Sequence, residues 1–361
     1  MESREEKLAT WVEASTIPPQ REFGALSGSV PADPLASPRH VRLSDDRIRL
    51  DALSDGFLDP HGGHISEGGE EEEDKDDASK PWHFRVLSVP RLLPGRLALS
   101  IPRPVFDQLQ SPWHLHPRTI EVFLSNNGVF TSFHCPRTGR ECLLLKVANS
   151  RSTGFDCVSV THDRARRTTC VLYHHLHDEE AVFATLLATP ERCLDPFFFI
   201  AALYRSHQQH IEFHRNTVDT AILSIERQTG YGKPGRIMEP GRRPSIDLGV
   251  VFENPKLVIQ QLSFCQTDLA IIRSVAQCCL DSGEWLMQSM DDRLECEKQN
   301  GGGLYSDSQS AIRSMIRDDI EYTRRRSVML LSQVQQMSDR AQGQTAYVSP
   351  TCSIFSVSLS A

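Results

Sequence analysis

The 361-residue chain lacks the short signatures that usually mark a catalytic centre. It contains no Gly-x-Ser-x-Gly elbow, no Gly-x-x-x-x-Gly-Lys-Ser/Thr phosphate loop and no dinucleotide fingerprint behind a strand. The glycines between Gly230 and Gly235 follow a helical stretch and run into prolines, the wrong surroundings for a phosphate cradle. No run approaches the roughly 20 apolar residues that span a bilayer; the strongest candidate, Ser349–Ala361, carries Ile354, Phe355, Val357 and Leu359 and is too short. The amino terminus, MESREEKLATWVEAS, has no apolar secretory core. None of the ten cysteines forms a Cys-x-x-Cys pair: Cys135 and Cys142 are the closest in the β-rich part, and Cys278 and Cys279 are adjacent. That scatter reads as reduced, structural thiols of an intracellular protein. Positive charge is also scarce, with 39 basic against 47 acidic residues and a net charge of −8. This argues against a general nucleic-acid binder, which needs a basic surface against phosphates, and leaves room for local basic patches.

Hydrophobic residues make up 39%, below the roughly 45–50% of globular domains, so part of the chain is expected outside the core. Residues 1–80 fit that part. Prolines recur at Pro18, Pro19, Pro31, Pro34 and Pro38, and the segment ends in HGGHISEGGEEEEDKDDASK. The like charges of Glu70–Asp74 repel one another and resist compaction. The run lacks the ordered alternation of a calcium loop, which leaves divalent-cation capture as the sharper and less favoured reading.

From Trp82 the composition turns apolar. The stretch 81–109 mixes short apolar runs with prolines, predicting short strands and turns. Four strand candidates follow: Gly128–Phe133, Glu141–Val147, Asp156–Thr161 and Thr168–Tyr173, separated by polar turns as in an antiparallel meander. The period then becomes helical. Asp178–Leu187 opens with acids, as a helix amino terminus prefers, and Thr189-Pro190 ends it. Asp195-Pro196 is an N-cap followed by a first-turn proline, starting a helix that runs to Gln228 before Gly230. Residues 231–254 are rich in breakers and read as a loop.

Beyond it the apolar positions fall at 4-3 spacing: Val258, Leu262, Cys265, Leu269, Ile272, Ala276 and Cys279, then Leu286 and Met290 after a skip at Gly283. A second stripe holds Ile316, Ile320, Thr323, Ser327, Leu330, Val334, Met337 and Ala341, and Asn300–Gly303 between the two predicts a reversal. Such narrow seams require a covering helix. The predicted fold class is α+β: an antiparallel sheet region packed with helices, then a long antiparallel helical hairpin over 255–348. Ser349-Pro350 should break the last helix, leaving 349–361 as a disordered tail.

Several clusters carry suggestive chemistry. His207, His210 and His214 share one helix face at metal-compatible spacing, yet Gln208 and Gln209 stand where a metalloprotease needs its glutamate base; a polar, exposed face is the favoured reading. His174, His175 and His177 at a strand–helix junction, and His114 and His116, read as groups that cap, bond backbone groups or face water, with a pH-sensing or metal role the less favoured alternative. Arginines cluster at Arg164, Arg166 and Arg167, at Arg242 and Arg243, and at Arg324, Arg325 and Arg326. The last trio follows Asp318, Asp319 and Glu321, with Glu321 and Arg325 at i,i+4 spacing. None of these clusters designates a catalytic, cofactor-binding or metal-binding residue.

Three stretches together resemble fungal CorA-like magnesium transporters. WHFRVLSVPRLLPGRLALSIPRPVFDQL with LHPRTIEVFLSNNGVFTSF is similar to the family's opening segment, with its apolar strand, L-S-I turn, F-x-x-L helix and L-H-x-x-T-I element. FDCVSVTHDRARRTTCVLYHH is similar to its paired central strands, and MLLSQVQQMSDRAQGQTAYV to its stalk helix. The resemblance spans Trp82–Val348. It implies a non-enzymatic α/β cytoplasmic domain at 81–230 with a stalk-like hairpin behind it, serving metal-ion transport. The Gly-Met-Asn triplet of the pore is absent and SPTCSIFSVSLSA follows Val348, so the chain as written is expected not to form a pore. The competing readings are a stand-alone interaction module, whose long helices bind a partner helix or a second copy, and a metal-dependent hydrolase using the histidines. No cofactor and no nucleic-acid partner are expected.

Overall fold

The computed structural model describes residues 22–30, 42–49, 81–89, 99, 101, 103–125, 127–135, 137–148, 155–230, 255–299 and 307–358. The predicted loop over 231–254, with Arg242 and Arg243, and the reversal at Asn300–Gly303 lie outside them.

Seven strands form one mixed sheet: β1 (Glu22–Val30), β2 (Arg42–Arg49), β3 (Trp82–Val89), β4 (Val129–Cys135), β5 (Arg140–Lys146), β6 (Cys157–Asp163) and β7 (Thr168–His174), in the order β2-β1-β3-β7-β6-β5-β4. The predicted meander β4-β5-β6-β7 is antiparallel throughout, with Leu143 opposite Val160 and Val160 opposite Val171. The pairing of β3 with β7 is parallel, His83 opposite Thr168 and Val89 opposite His174. Parallel neighbours need a long crossover, and the whole segment between them, with helices α1 (Arg103–Gln110) and α2 (Thr119–Leu124), supplies it. Within 1–80, where the sequence predicts mostly disorder, β1 and β2 form two paired strands. Over Glu22–Val30 and Arg42–Arg49 the backbone is paired, with Glu22 opposite Arg49 and Ala25 opposite Leu87.

Strands β6 and β7 are buried at every residue, so the sheet is covered on both faces. On one side α1, α2 and the turn between them bring Phe106, Leu109, Trp113, Ile120 and Phe123 against Leu87, Leu144, Cys157 and Leu172. On the other, Phe199 lies 5.9 Å from Phe84, and the Tyr173 hydroxyl donates to the Phe199 carbonyl at 2.6 Å. The F-x-x-L helix is present as α1, burying Phe106 and Leu109.

Four more helices follow α2: α3 (Glu179–Ala188), α4 (Pro196–Thr229), α5 (Pro255–Gln299) and α6 (Asp307–Ser358). Asp178 caps α3, its Oδ1 accepting from the Ala181 amide at 2.9 Å. A 3₁₀ turn, Pro190–Leu194, leads to Asp195, whose Oδ1 accepts from the Phe197 amide at 3.0 Å and caps α4. Helix α6 runs through Ser349-Pro350 to Ser358, so the predicted break at 349–350 does not occur.

The chain divides into two compact units, one of residues 1–207 and 281–324, the other of 208–280 and 325–361. In the first, antiparallel pairing of α5 and α6 is marked by the Arg317–Asp291 ion pair. The skip at Gly283 has its cause there: a Cβ at Gly283 would stand 2.3 Å from the Tyr204 hydroxyl oxygen. In the second unit, Ser327 donates to Cys279 at 3.4 Å and Gln266 to Thr345 at 3.3 Å, and Leu262, Leu269, Ile272, Leu330 and Val334 are all buried. Both 4-3 stripes are buried as their spacing requires.

Candidate functional site

Three arginines and three carboxylates converge in the sheet-bearing unit. The β4–β5 hairpin contributes Glu141, β6 and its turn contribute His162 and Arg164, and the cap of α4 contributes Asp195. Helix α5 adds Arg293 and Glu297 one turn apart, and α6 adds Arg313. Glu297 is the hub. Its Oε1 accepts from Arg293 Nε at 3.0 Å and from Arg164 Nη2, and its Oε2 from Arg313 Nη1 at 2.9 Å. Arg313 Nε also donates to Asp195 Oδ2 at 3.1 Å, and Arg293 Nη1 pairs with Glu141 Oε2 at 3.0 Å. The Asp195 carboxylate therefore caps α4 with one oxygen and holds α6 with the other. Charges balance, three against three, as burial demands.

His162, 1% exposed, closes the cluster. Its ring stacks on Trp82 at 5.1 Å with 5° between planes. Burial, and then the charges of Arg293, Arg164 and Arg313, push its pKa well below the usual value. The imidazole is thus neutral. Arg293 Nη2, 3.3 Å from Nε2, can only donate, so Nε2 accepts and Nδ1 donates to Thr169 Oγ1 at 3.0 Å. Two clefts flank the cluster and share Arg164 and Arg293 as walls. One, of about 350 Å³, opens between Trp82, Leu194 and Ile312. The other, of about 710 Å³, lies over Phe133 with Ser132, His134, Ser289, Asp292 and Cys296 around it. Chemically the cluster is a charge-neutral clamp on three helices and the ends of strands β5 and β6, with polar anchors of both signs facing the larger cleft.

A second buried group surrounds Lys146, which is 0% exposed and donates from Nζ to the Phe123 carbonyl at 2.5 Å. His174 stacks on Phe123 at 5.2 Å and lies 3.7 Å from the His175 ring. Burial first, then His175 and Lys146, hold His174 well below its usual pKa. Burial pushes the Cys157 and Cys170 thiols up to about 12, leaving them as inert core groups.

The histidines singled out from sequence are placed differently from expectation. His174 and His175 are 1% and 4% exposed rather than water-facing; His177 is exposed. His207, expected on an exposed face, is 2% exposed, because α4 packs on more than one side. His210 is half-buried, as is His214, 3.9 Å from Asp268. His114 adopts φ +49° and presents its carbonyl to the Thr161 hydroxyl at 3.3 Å, while His116 stacks on Phe133 at 3.7 Å. Among the described residues, no group of three His, Cys, Asp or Glu is placed to hold a metal ion. Glu321 pairs with Arg324 at 2.6 Å, at i,i+3. Of the clamp, only Arg164 and the Asp195 cap carried a sequence signal. The other members are single charged residues on helices and strands, indistinguishable in sequence from solvated ones.

No protein-family model matches the sequence, and no curated protein matches it. Among solved structures, the chain is similar to the crystal structure of the ZntB cytoplasmic domain from Vibrio parahaemolyticus RIMD 2210633. That likeness has 9% identity and a TM-score of 0.41, covering 73% of this chain and 88% of that one. It is also similar to the structure of the full-length CmaX protein, at 10% identity and a TM-score of 0.49, covering 94% and 81%. Likenesses at this level assign no function.

Proposed function

We propose that the chain is a non-enzymatic, CorA-like cytoplasmic domain that serves metal-ion transport, working with a membrane pore rather than conducting ions through its own described helices. None of those helices is long and apolar enough to cross a membrane. The observation that carries the reading is the order of parts. A sheet domain holding the first two stretches that resemble the family is followed by a pair of long helices of 45 and 52 residues, the second holding the third stretch, at the place the family resemblance gives to a stalk. The clamp around Glu297 supports it mechanically, because it fastens that helix pair to the ends of strands β5 and β6 within one compact unit. The test is cellular. Deleting the gene should change total cell magnesium or zinc, read by elemental mass spectrometry, and re-expression should restore it. Unchanged contents under magnesium limitation would sink the proposal.

A second reading, an interaction module, rests on a separate observation. In the all-helical unit Phe213, Phe264 and Met329 are 72%, 71% and 62% exposed, and large exposed apolar side chains of this kind attract partner helices. Sedimentation equilibrium of the full chain decides it: a self-associating particle supports the module, and a strict monomer at high concentration removes the homo-oligomeric form.

A further inference from the structure

Two adjacent turns at one end of the sheet reverse the sign of the molecule. The β4–β5 turn carries Arg137 and Arg140, and the β6–β7 turn carries Arg164, Arg166 and Arg167. They are neighbours, since Arg140 stands opposite Asp163 across β5 and β6. Residues 137–141 and 163–167 hold five arginines against two acids, Glu141 and Asp163, and even with Glu297 paired to Arg164 the balance is +2, in a chain of net charge −8. Both acids are engaged: Glu141 with Arg293 at 3.0 Å, and Asp163 with Arg140 Nε at 2.7 Å and the Arg166 amide at 3.1 Å. Arg137, Arg164 and Arg166 are exposed.

Strand β3 begins at this same end. The His83 amide donates to the Arg167 carbonyl at 2.9 Å, and the Arg167 guanidinium sits 5.8 Å above the Trp82 ring. The sequence just before β3 is EEEEDKDD, Glu70–Asp77, seven acids and one lysine. Only residues 78–81 separate Asp77 from Trp82. Five steps of at most about 3.6 Å keep Asp77 within roughly 18 Å of Trp82 on any path. A tether this short gives an effective concentration on the order of millimolar.

We propose that this basic sheet end is a docking surface for an acidic peptide, and that its resident occupant is the chain's own run Glu70–Asp77. Guanidinium–carboxylate hydrogen bonds hold it, and an acidic segment of another protein reaches the turns only by displacing it. This goes beyond the transport reading and stands without it.

The test uses the full chain and a fluorescent peptide of residues 64–80. In one variant Glu70, Glu71, Glu72 and Glu73 become Gln, and Asp74, Asp76 and Asp77 become Asn. That variant should bind the peptide at least about tenfold more tightly than the wild type, because the cis competitor is gone. Adding R137E and R166E should abolish the gain, and so should raising NaCl from roughly 50 to 500 mM. R137E alone, at an exposed turn position, gives a partial loss should the double change disturb the fold. Equal affinity for wild type and neutralised chain overturns the proposal, showing a surface open to acidic partners in trans. So does binding that ignores the arginine changes or the salt.

Discussion

Replacing Glu297 with alanine probes the clamp at its hub. The Glu297 and Arg313 side chains are each 9% exposed and Arg293 is 10% exposed, whereas Arg164 is 40% exposed and is discounted for solvent screening. Without Glu297, three guanidinium groups face only Asp195 and Glu141, one uncompensated positive charge in a largely buried site. Breaking a buried pair in this way costs about 3–5 kcal/mol. The assay is urea unfolding followed by helical circular dichroism and by the fluorescence of Trp82, Trp113 and Trp285, all of which lie in the sheet-bearing unit. A chain of two units need not unfold in one step, so the tryptophan transition is the relevant one. The double variant E297A/R313M removes the excess charge and should recover at least half of the loss, the signature of direct coupling. A loss under about 1 kcal/mol for E297A, the scale of a surface ion pair, or strict additivity in the double variant would refute the buried-clamp reasoning.

Leu269→Asp places a carboxylate at a seam position 2% exposed and should destabilise the helical unit by several kcal/mol; wild-type-like thermal stability would refute the packing. Gly283→Ala gains about 1 kcal/mol of helix propensity but drives its methyl into Tyr204 and Arg324, for a net loss of about 1–2 kcal/mol by thermal unfolding. Tyr204→Phe in that background should recover part of it, because the hydroxyl is the closest atom. His162 and His174 have folded-state pKa values depressed below the ordinary 6.5. The stability they contribute is therefore present above pH 6.5 and is lost as pH falls below it, by up to about 1.4 kcal/mol per pH unit for each. Urea midpoints at pH 7.5, 6.5 and 5.5 read this, and H162Q should flatten the slope; an unchanged slope would count against a buried, neutral His162.

The features that sequence reveals most readily are those with a local cause. The 4-3 stripes of α5 and α6, the Asp178 and Asp195 caps and the four meander strands follow from periodicity and turn chemistry acting over a few residues. Strands β1 and β2 escape that logic. They lie among prolines and polar residues, and β3, the strand that joins β1 to the rest of the sheet, comes more than 30 residues after β2, so that pairing is non-local. Helix α6 passes Pro350 because local propensity is a weak prior. The candidate site was almost illegible for the same reason. Glu141, Arg293, Glu297 and Arg313 are scattered over more than 170 residues, and only folding brings them together. The histidine triplets have the opposite character, conspicuous in sequence and divided in space between buried positions (His174, His175, His207), half-buried ones (His210, His214) and the exposed His177.

The measurement that tests the central claim most directly is transport by a chimera. The chain through Val348 would be joined to the two membrane helices of a CorA-type transporter and expressed in cells that depend on added magnesium. The account predicts membrane insertion and magnesium uptake, with growth restored at low magnesium, and reduced uptake in a chimera carrying E297A. A chimera that inserts, assembles and carries no magnesium would contradict it.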